Sequence, residues 1–299
     1  MKTPARSALA KGTGALQQLM TALARLAEAP SSESGRLAQL LELGPPADKG
    51  EYADLFSFQL YPYASVYLGA EGMMGGEARD RITGFWRALD LEPPPEPDHL
   101  ATLLAFYAEL SAATGRINDR RSSLATERAR VAFLHEHLLS WLPVYLAKLE
   151  LLTAGFYHRW ARLLAATLET ETSRAPVPDR LSLHLREAPR LPAPQNVGGE
   201  AFLESLLAPV RTGFLLVRSD LTRAGQDLGL GVRAGERKFA LKALLAQDAA
   251  STLDWLRQEA LGQARSHAAS TVLPATARDF WRARAETAAK ILESARNTL

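Results

Sequence analysis

Apolar residues recur every three to four positions along almost the whole chain, and that period predicts helices. One series falls at about 15–28, 34–43, 51–68, 76–90, 98–114, 122–141 and 144–170. A second lies at 200–208, 219–228, 235–246, 249–266 and 275–297. Alternating runs of β-branched residues are absent, and VLP at 272–274 and FLLV at 214–217 are too short to build a sheet. The expected fold class is all-α, a multi-helix bundle. Breakers punctuate the pattern: GPP at 44–46, GAEGMMGG at 69–76, PPPEP at 93–97 and Pro143. Pro143 lies inside an otherwise helical stretch and should split it, because proline removes an N–H and clashes with the preceding turn.

The stretch 171–199 holds Pro176, Pro178, Pro189, Pro192 and Pro194 and ends in Gly198-Gly199, so it is expected to be a linker. LSLHL within it is expected to give one short ordered element. The chain then divides into a helical domain at 1–170, a linker at 171–199 and a C-terminal helical module at 200–299. The last segment places Phe202, Phe239, Trp255, Phe280 and Trp281 at helical positions, which predicts a folded module and not a trailing tail.

Composition narrows the function. With 35 basic and 33 acidic residues the formal net charge is +2, too balanced for a nucleic-acid partner. Zero cysteines exclude disulfides, thiolate metal sites and a cysteine nucleophile. Every apolar stretch is interrupted well short of the ~20 residues a membrane helix needs, and the N-terminus lacks the apolar core of a secretory signal. A soluble protein with no stable membrane insertion is expected. Catalytic motifs are missing: there is no GxSxG, Walker A, HExxH or EF-hand pattern. GLGVRAG at 229–235 has no preceding strand and fits a helix–helix loop with a glycine C-cap. Arg120-Arg121 is expected in a polar loop. In His135-Glu136-His137 the histidines are two apart on a helix, so one should face the core and the other solvent, with no shared metal. No catalytic residue, metal site or cofactor is expected.

One segment stands out, LEPPPEPDHLATLLAFYAEL at 91–110. Pro93, Pro94 and Pro95 hold the approach extended. Asp98 suits a helix N-terminus, where a carboxylate accepts from orphan backbone N–H groups. Leu100, Leu103, Leu104, Tyr107 and Ala108 then share one stripe. The Asp98-His99 pair fits either a recognition site or a simple capped helix.

Later in the chain comes FLHEHLLSWLPVY at 133–145, and after it Phe156-Tyr157. Together these segments resemble the TorD/DmsD/NarJ family of redox-enzyme maturation chaperones. In that family Pro-Asp-His enters a helix of the form HLAxxLxFxxxL, and a later helix carries FLxxHLxxWxPxF. The matching residues here are Pro97-Asp98-His99 with Leu100, Leu104, Phe106 and Leu110, then Phe133-Leu134, His137-Leu138, Trp141 and Pro143. Tyr145 stands where the pattern often has Phe. Residues 200–299 extend beyond the family's shorter members.

The resemblance implies an all-helical TorD-like bundle and a chaperone, not an enzyme. Such a chaperone works in the cytoplasm and binds the twin-arginine signal peptide, or the apo form, of a molybdopterin-containing oxidoreductase catalytic subunit. The alternative is an assembly scaffold for the mature subunit that ignores the signal. A twin-arginine peptide needs a carboxylate for its guanidinium groups and an apolar groove for the hydrophobic stretch beyond them. The resemblance thus nominates Pro97, Asp98 and His99 for the charged end, and Tyr61, Tyr63, Trp86, Leu103 and Tyr107 for the apolar walls or the core beneath. It also leaves room for a homodimer, since relatives exchange helices between protomers.

Overall fold

The computed structural model describes residues 4–116, 119–176, 178, 180–232 and 235–297. Among these residues there are helices and no strands, so the chain is all-α. Two compact units emerge, and neither is contiguous. The first takes Met1–Ala53 and Arg81–Pro178; the second takes Asp54–Asp80 and Asp179–Leu299.

In the first unit α1 (Pro4–Leu26), α2 (Ser34–Leu40) and α3 (Lys49–Ala53) lead the chain. The second unit's early segment holds α4 (Ala64–Leu68), and the boundary back to the first unit falls within α5 (Gly76–Ala88). Then come α6 (Leu100–Arg116), α7 (Arg120–Phe133), α8 (Leu142–Leu152) and α9 (Phe156–Arg174). Helix α6 packs on α1 and α7, and α8 packs on α9. Trp141, Trp160, Tyr107, Tyr145 and Phe133 are fully buried at the centre, as their apolar area requires. The Trp160 indole still satisfies its N–H by donating to the Leu23 carbonyl at 3.1 Å.

The expected break at Pro143 is real. Pro143 occupies the first turn of α8, where its missing N–H costs nothing. Ahead of it, Leu134–Leu138 forms a π-helical turn closed by the Leu139 amide on the Leu134 carbonyl at 2.8 Å. The expected division of the two histidines does not hold: His135 is 7% exposed and His137 5%. Both sides of this turn are covered. The His137 ring lies 5.1 Å from Phe85 and 5.3 Å from Phe133, while His135 faces the backbone at Pro176. Arg120-Arg121 opens α7 instead of sitting in a loop, because Asp119 caps that helix by accepting from the Ser122 amide at 2.8 Å.

The second unit is built on α10 (Leu183–Arg186), α11 (Pro194–Val197), α12 (Gly199–Leu206), α13 (Pro209–Thr212), α14 (Arg218–Leu228), α15 (Arg237–Gln247), α16 (Ala249–Ala269) and α17 (Ala275–Asn297). Helices α16 and α17 form its long hairpin, with α13 packed on α17, α14 and α15 on α16, and α12 on α13 and α15. Helix α10 is the short element expected within LSLHL, and Leu185 on it is buried. Leu206, Phe214, Leu221, Leu241, Leu256 and Leu292 build the core. A second π-helical segment, Asp54–Gln59, precedes α4, and Pro62 lies between the two. Gly229 caps α14 in the left-handed region at φ 66°, as the glycine-rich loop predicted.

Candidate functional site

The approach to α6 is held at both ends. Helix α5 stops because Asp90 turns left-handed, φ 58°, and the Leu91 amide reaches back to the Trp86 carbonyl at 3.1 Å. That is a Schellman-type end built on Asp instead of Gly. The proline run then carries the chain out to Pro97 and Asp98, both buried, with Asp98 only 2% exposed.

Helix α6 begins one residue after His99, and the histidine side chain caps it. His99 Nδ1 accepts from the Ala101 amide at 3.2 Å. Accepting at Nδ1 requires the neutral ring with its proton on Nε2. Burial lowers the His99 pKa below the ordinary value, against the opposing pull of Glu96, Glu28 and Asp98. Neutral His99 is therefore the form that the local structure uses.

Some two turns along α6, about 10 Å from the His99 end, Trp86 of α5 stacks on Phe106, ring centroids 3.7 Å apart and 21° from parallel. Phe106 in turn meets Phe133 edge-on at 5.0 Å. Trp86 is half-buried, and its indole Nε1 is shielded from solvent with no hydrogen-bond partner. A buried donor left unmade costs free energy and asks for an explanation.

Leu103 and Tyr107 are core residues at 0% exposure. The Tyr107 hydroxyl donates to Glu171 Oε2 at 2.7 Å, and Arg130 Nη1 donates to the same oxygen at 2.8 Å and to the Tyr107 oxygen. Burial, and after it the Glu171 carboxylate, pushes the Tyr107 phenol above its usual range. Glu127 completes the set with two contacts to Arg130, at 2.7 and 2.9 Å. This network ties α6, α7 and α9 together and offers no surface to a partner.

Of the sequence-nominated residues, the structure gathers Pro97, Asp98 and His99 at the start of α6 and sets Trp86, on α5, against Phe106 further along α6. Tyr61 and Tyr63 belong to the second unit. Tyr61 is half-buried, and its carbonyl accepts from the Tyr67 hydroxyl at 2.8 Å. Tyr63 is the residue before α4. The Arg130–Glu171–Tyr107 network escaped the sequence reading because its members lie far apart in the chain and Glu171 fell in the expected linker. An acidic residue on the apolar stripe of α9 was the available signal. Among the described residues no group of three His, Asp or Glu side chains is placed to hold a metal.

The comparisons point in one direction. A nitrate reductase delta subunit family model matches residues 8–147, the span that contains both the Pro97-Asp98-His99 entrance and the Phe133–Trp141 segment. Over that span the chain is similar to the nitrate reductase delta subunit family. The chaperone protein TorD of Vibrio vulnificus is 30% identical over 125 residues, 39% of this chain and 58% of that protein. TorD of Vibrio cholerae serotype O1 is 29% identical over 164 residues, 52% of this chain and 72% of that protein. TorD of Photobacterium profundum is 25% identical over 117 residues. The chain thus spans little more than half the length of the Vibrio vulnificus relative. No solved structure matches.

Proposed function

We infer that this protein is a maturation chaperone of the TorD/NarJ family, serving a molybdopterin-containing oxidoreductase, and not a catalyst. It binds the client's N-terminal twin-arginine segment and holds the apo subunit until its cofactor is inserted. It acts in the cytoplasm, before export or assembly. The observation that carries this reading is the folding of Pro97-Asp98-His99 and the Phe133–Trp141 segment into one compact unit, where Trp86 keeps an unmet N–H donor. Asp98 is the partner for a client guanidinium, His99 fixes the entrance by capping α6, and Trp86 offers the exposed part of its ring to the client's apolar stretch. Among the described residues no helix is long and apolar enough to cross a membrane, in keeping with a chaperone that reaches its client without an anchor of that kind.

The test is calorimetric titration of the full chain with a twin-arginine client peptide. Saturable binding is expected, weakened about tenfold or more by Asp98→Asn, the size of one charge-assisted hydrogen bond. Undetectable binding at high micromolar peptide, or an Asp98→Asn variant that binds like wild type, removes Asp98 from the site.

The 2% exposure of Asp98 favours a second reading, an assembly scaffold that grips the mature catalytic subunit. A carboxylate so enclosed meets a guanidinium only after the loop moves. Binding that survives deletion of the client's N-terminal segment selects this alternative.

A further inference from the structure

The geometry points to a binding site for a compact oxyanion of the phosphate class where Arg190, Arg211 and Arg284 converge in the second unit. It stands apart from client recognition and rests on different residues. Between α10 and α11 the chain has no regular structure, yet three successive carbonyls there are all occupied by guanidinium groups. Arg284 donates through Nη2 to the Ala188 carbonyl at 2.7 Å and through Nη1 to the Pro189 carbonyl at 2.6 Å. Arg211 donates through Nη1 to the Arg190 carbonyl at 3.3 Å and through Nε to the Ala70 carbonyl at 2.6 Å. Two arginines from separate helices thus gather on a three-residue stretch that ends in a third.

The two helical arginines are fixed in place. Arg211 sits on α13, whose end is pressed against α17 at Gly213, φ 76°. A Cβ there would fall 2.3 Å from the Ala285 nitrogen and 2.7 Å from the Trp281 oxygen, so only glycine permits the approach. The Gly213 carbonyl meets His267 Nε2 at 2.8 Å, and the buried Thr212 hydroxyl bonds the Phe214 carbonyl at 3.0 Å. Arg284 is the residue before Ala285, and its guanidinium lies 4.8 Å from the centre of the Phe280 ring.

What this cluster lacks is negative charge. Carbonyl dipoles soften the repulsion of three cations but do not cancel it. Among the described residues no carboxylate pairs with any of the three; Arg237 and Arg278 likewise meet carbonyls, at Leu216 and Ser270, whereas several other cations of the unit are matched. Arg223 meets Asp220 and Glu259, Lys238 meets Glu200 and Glu204, and Arg282 meets Asp279 and Glu286. The imbalance registers on Arg284, where burial and the Arg190 and Arg211 charges push the pKa down to about 10.

Donors are also left over. A guanidinium has five N–H groups; Arg284 and Arg211 each use two on carbonyls, and the exposed Arg190 side chain uses none. A single carboxylate satisfies one such fork. Three guanidinium groups, two of them close enough to act on the charge of Arg284 and all with N–H donors to spare, suit an anion with several charges and oxygens in several directions, which is the chemistry of phosphate and diphosphate. Farther along α17, Thr287, Lys290 and Ile291 face Pro194 across a shallow cleft of about 170 Å³, room for the organic part of a phosphate ester.

The test is calorimetric titration of the full chain with inorganic phosphate, pyrophosphate and a simple phosphomonoester, at ionic strength held constant with sodium chloride. Saturable binding is expected, tighter for pyrophosphate than for phosphate, and a phosphomonoester tighter than phosphate would bring the cleft into the site. Pyrophosphate should also raise the melting temperature beyond what chloride does. Arg190→Gln leaves every carbonyl contact in place and should weaken pyrophosphate about tenfold. Arg284→Lys keeps the charge, loses the fork and should weaken it as well. Should the Arg284 variant fail to fold, Arg190→Gln alone decides. The proposal is overturned by an absence of saturable heat, by a melting shift that chloride reproduces, by wild-type affinity in Arg190→Gln, or by tighter binding of an Asp/Glu-rich peptide than of pyrophosphate.

Discussion

Tyr107, Arg130 and Glu171 show what a single buried carboxylate does in this fold. Glu171 is 2% exposed and accepts from both partners through one oxygen, so removing it strands the phenol and leaves the Arg130 guanidinium with Glu127. Glu171→Ala should cost about 3–5 kcal/mol, read as a loss of unfolding free energy in urea. Tyr107→Phe, which deletes only one donor, should cost about 1 kcal/mol. The histidines carry a pH signature. Burial is the leading cause of a lowered pKa at His99, His135 and His267. The folded state therefore prefers the neutral ring. The stabilisation is fully present above the ordinary histidine value of about 6.5 and is lost as pH falls through the lowered folded values. The urea midpoint should hold steady from about pH 7 to 8 and drop below about pH 6.5; a midpoint flat down to pH 5 contradicts neutral histidines in the fold.

At the scale of elements, most boundaries were legible because they rest on local chemistry. Pro143 splits its helix, Gly229 ends α14, and the stripe from Leu100 to Ala108 faces the core as its period predicted. The π-helical turns were not legible. A reading that assumes 3.6 residues per turn has no means of marking one that closes from residue i to i+5. It also treated His135 and His137 as one inward and one outward residue, when neighbours cover both. The entrance itself was half-legible: a cap at the start of α6 was expected, and the His99 side chain makes it. The end of α5 was hidden because Asp90 does what Gly commonly does. Asp90→Gly should leave stability unchanged or raise it, while Asp90→Val should cost about 1–2 kcal/mol through the left-handed backbone, both measured by thermal unfolding. Gly213→Ala should be more severe, since its Cβ meets backbone on α17 that cannot yield.

For the whole molecule, the division into units obeys no single cut in the chain. Residues 54–80 pack with 179–299, and no local period announces such a pairing. A fragment ending at residue 178 should consequently leave Val66, Tyr67 and Leu68 without their usual cover and aggregate. A chain truncated only after Asn297 should remain monodisperse by size-exclusion chromatography, because helix α17 is kept whole. The same interleaving sets a timetable during synthesis. Residues 54–80 leave the ribosome with neighbours on both sides ready to fold into the first unit. Their own partners begin to emerge only after Pro178, a delay of about 5–20 s at ordinary bacterial elongation rates. For that interval a newborn copy of this protein carries an unshielded apolar segment of its own, and its folding depends on keeping that segment from other chains.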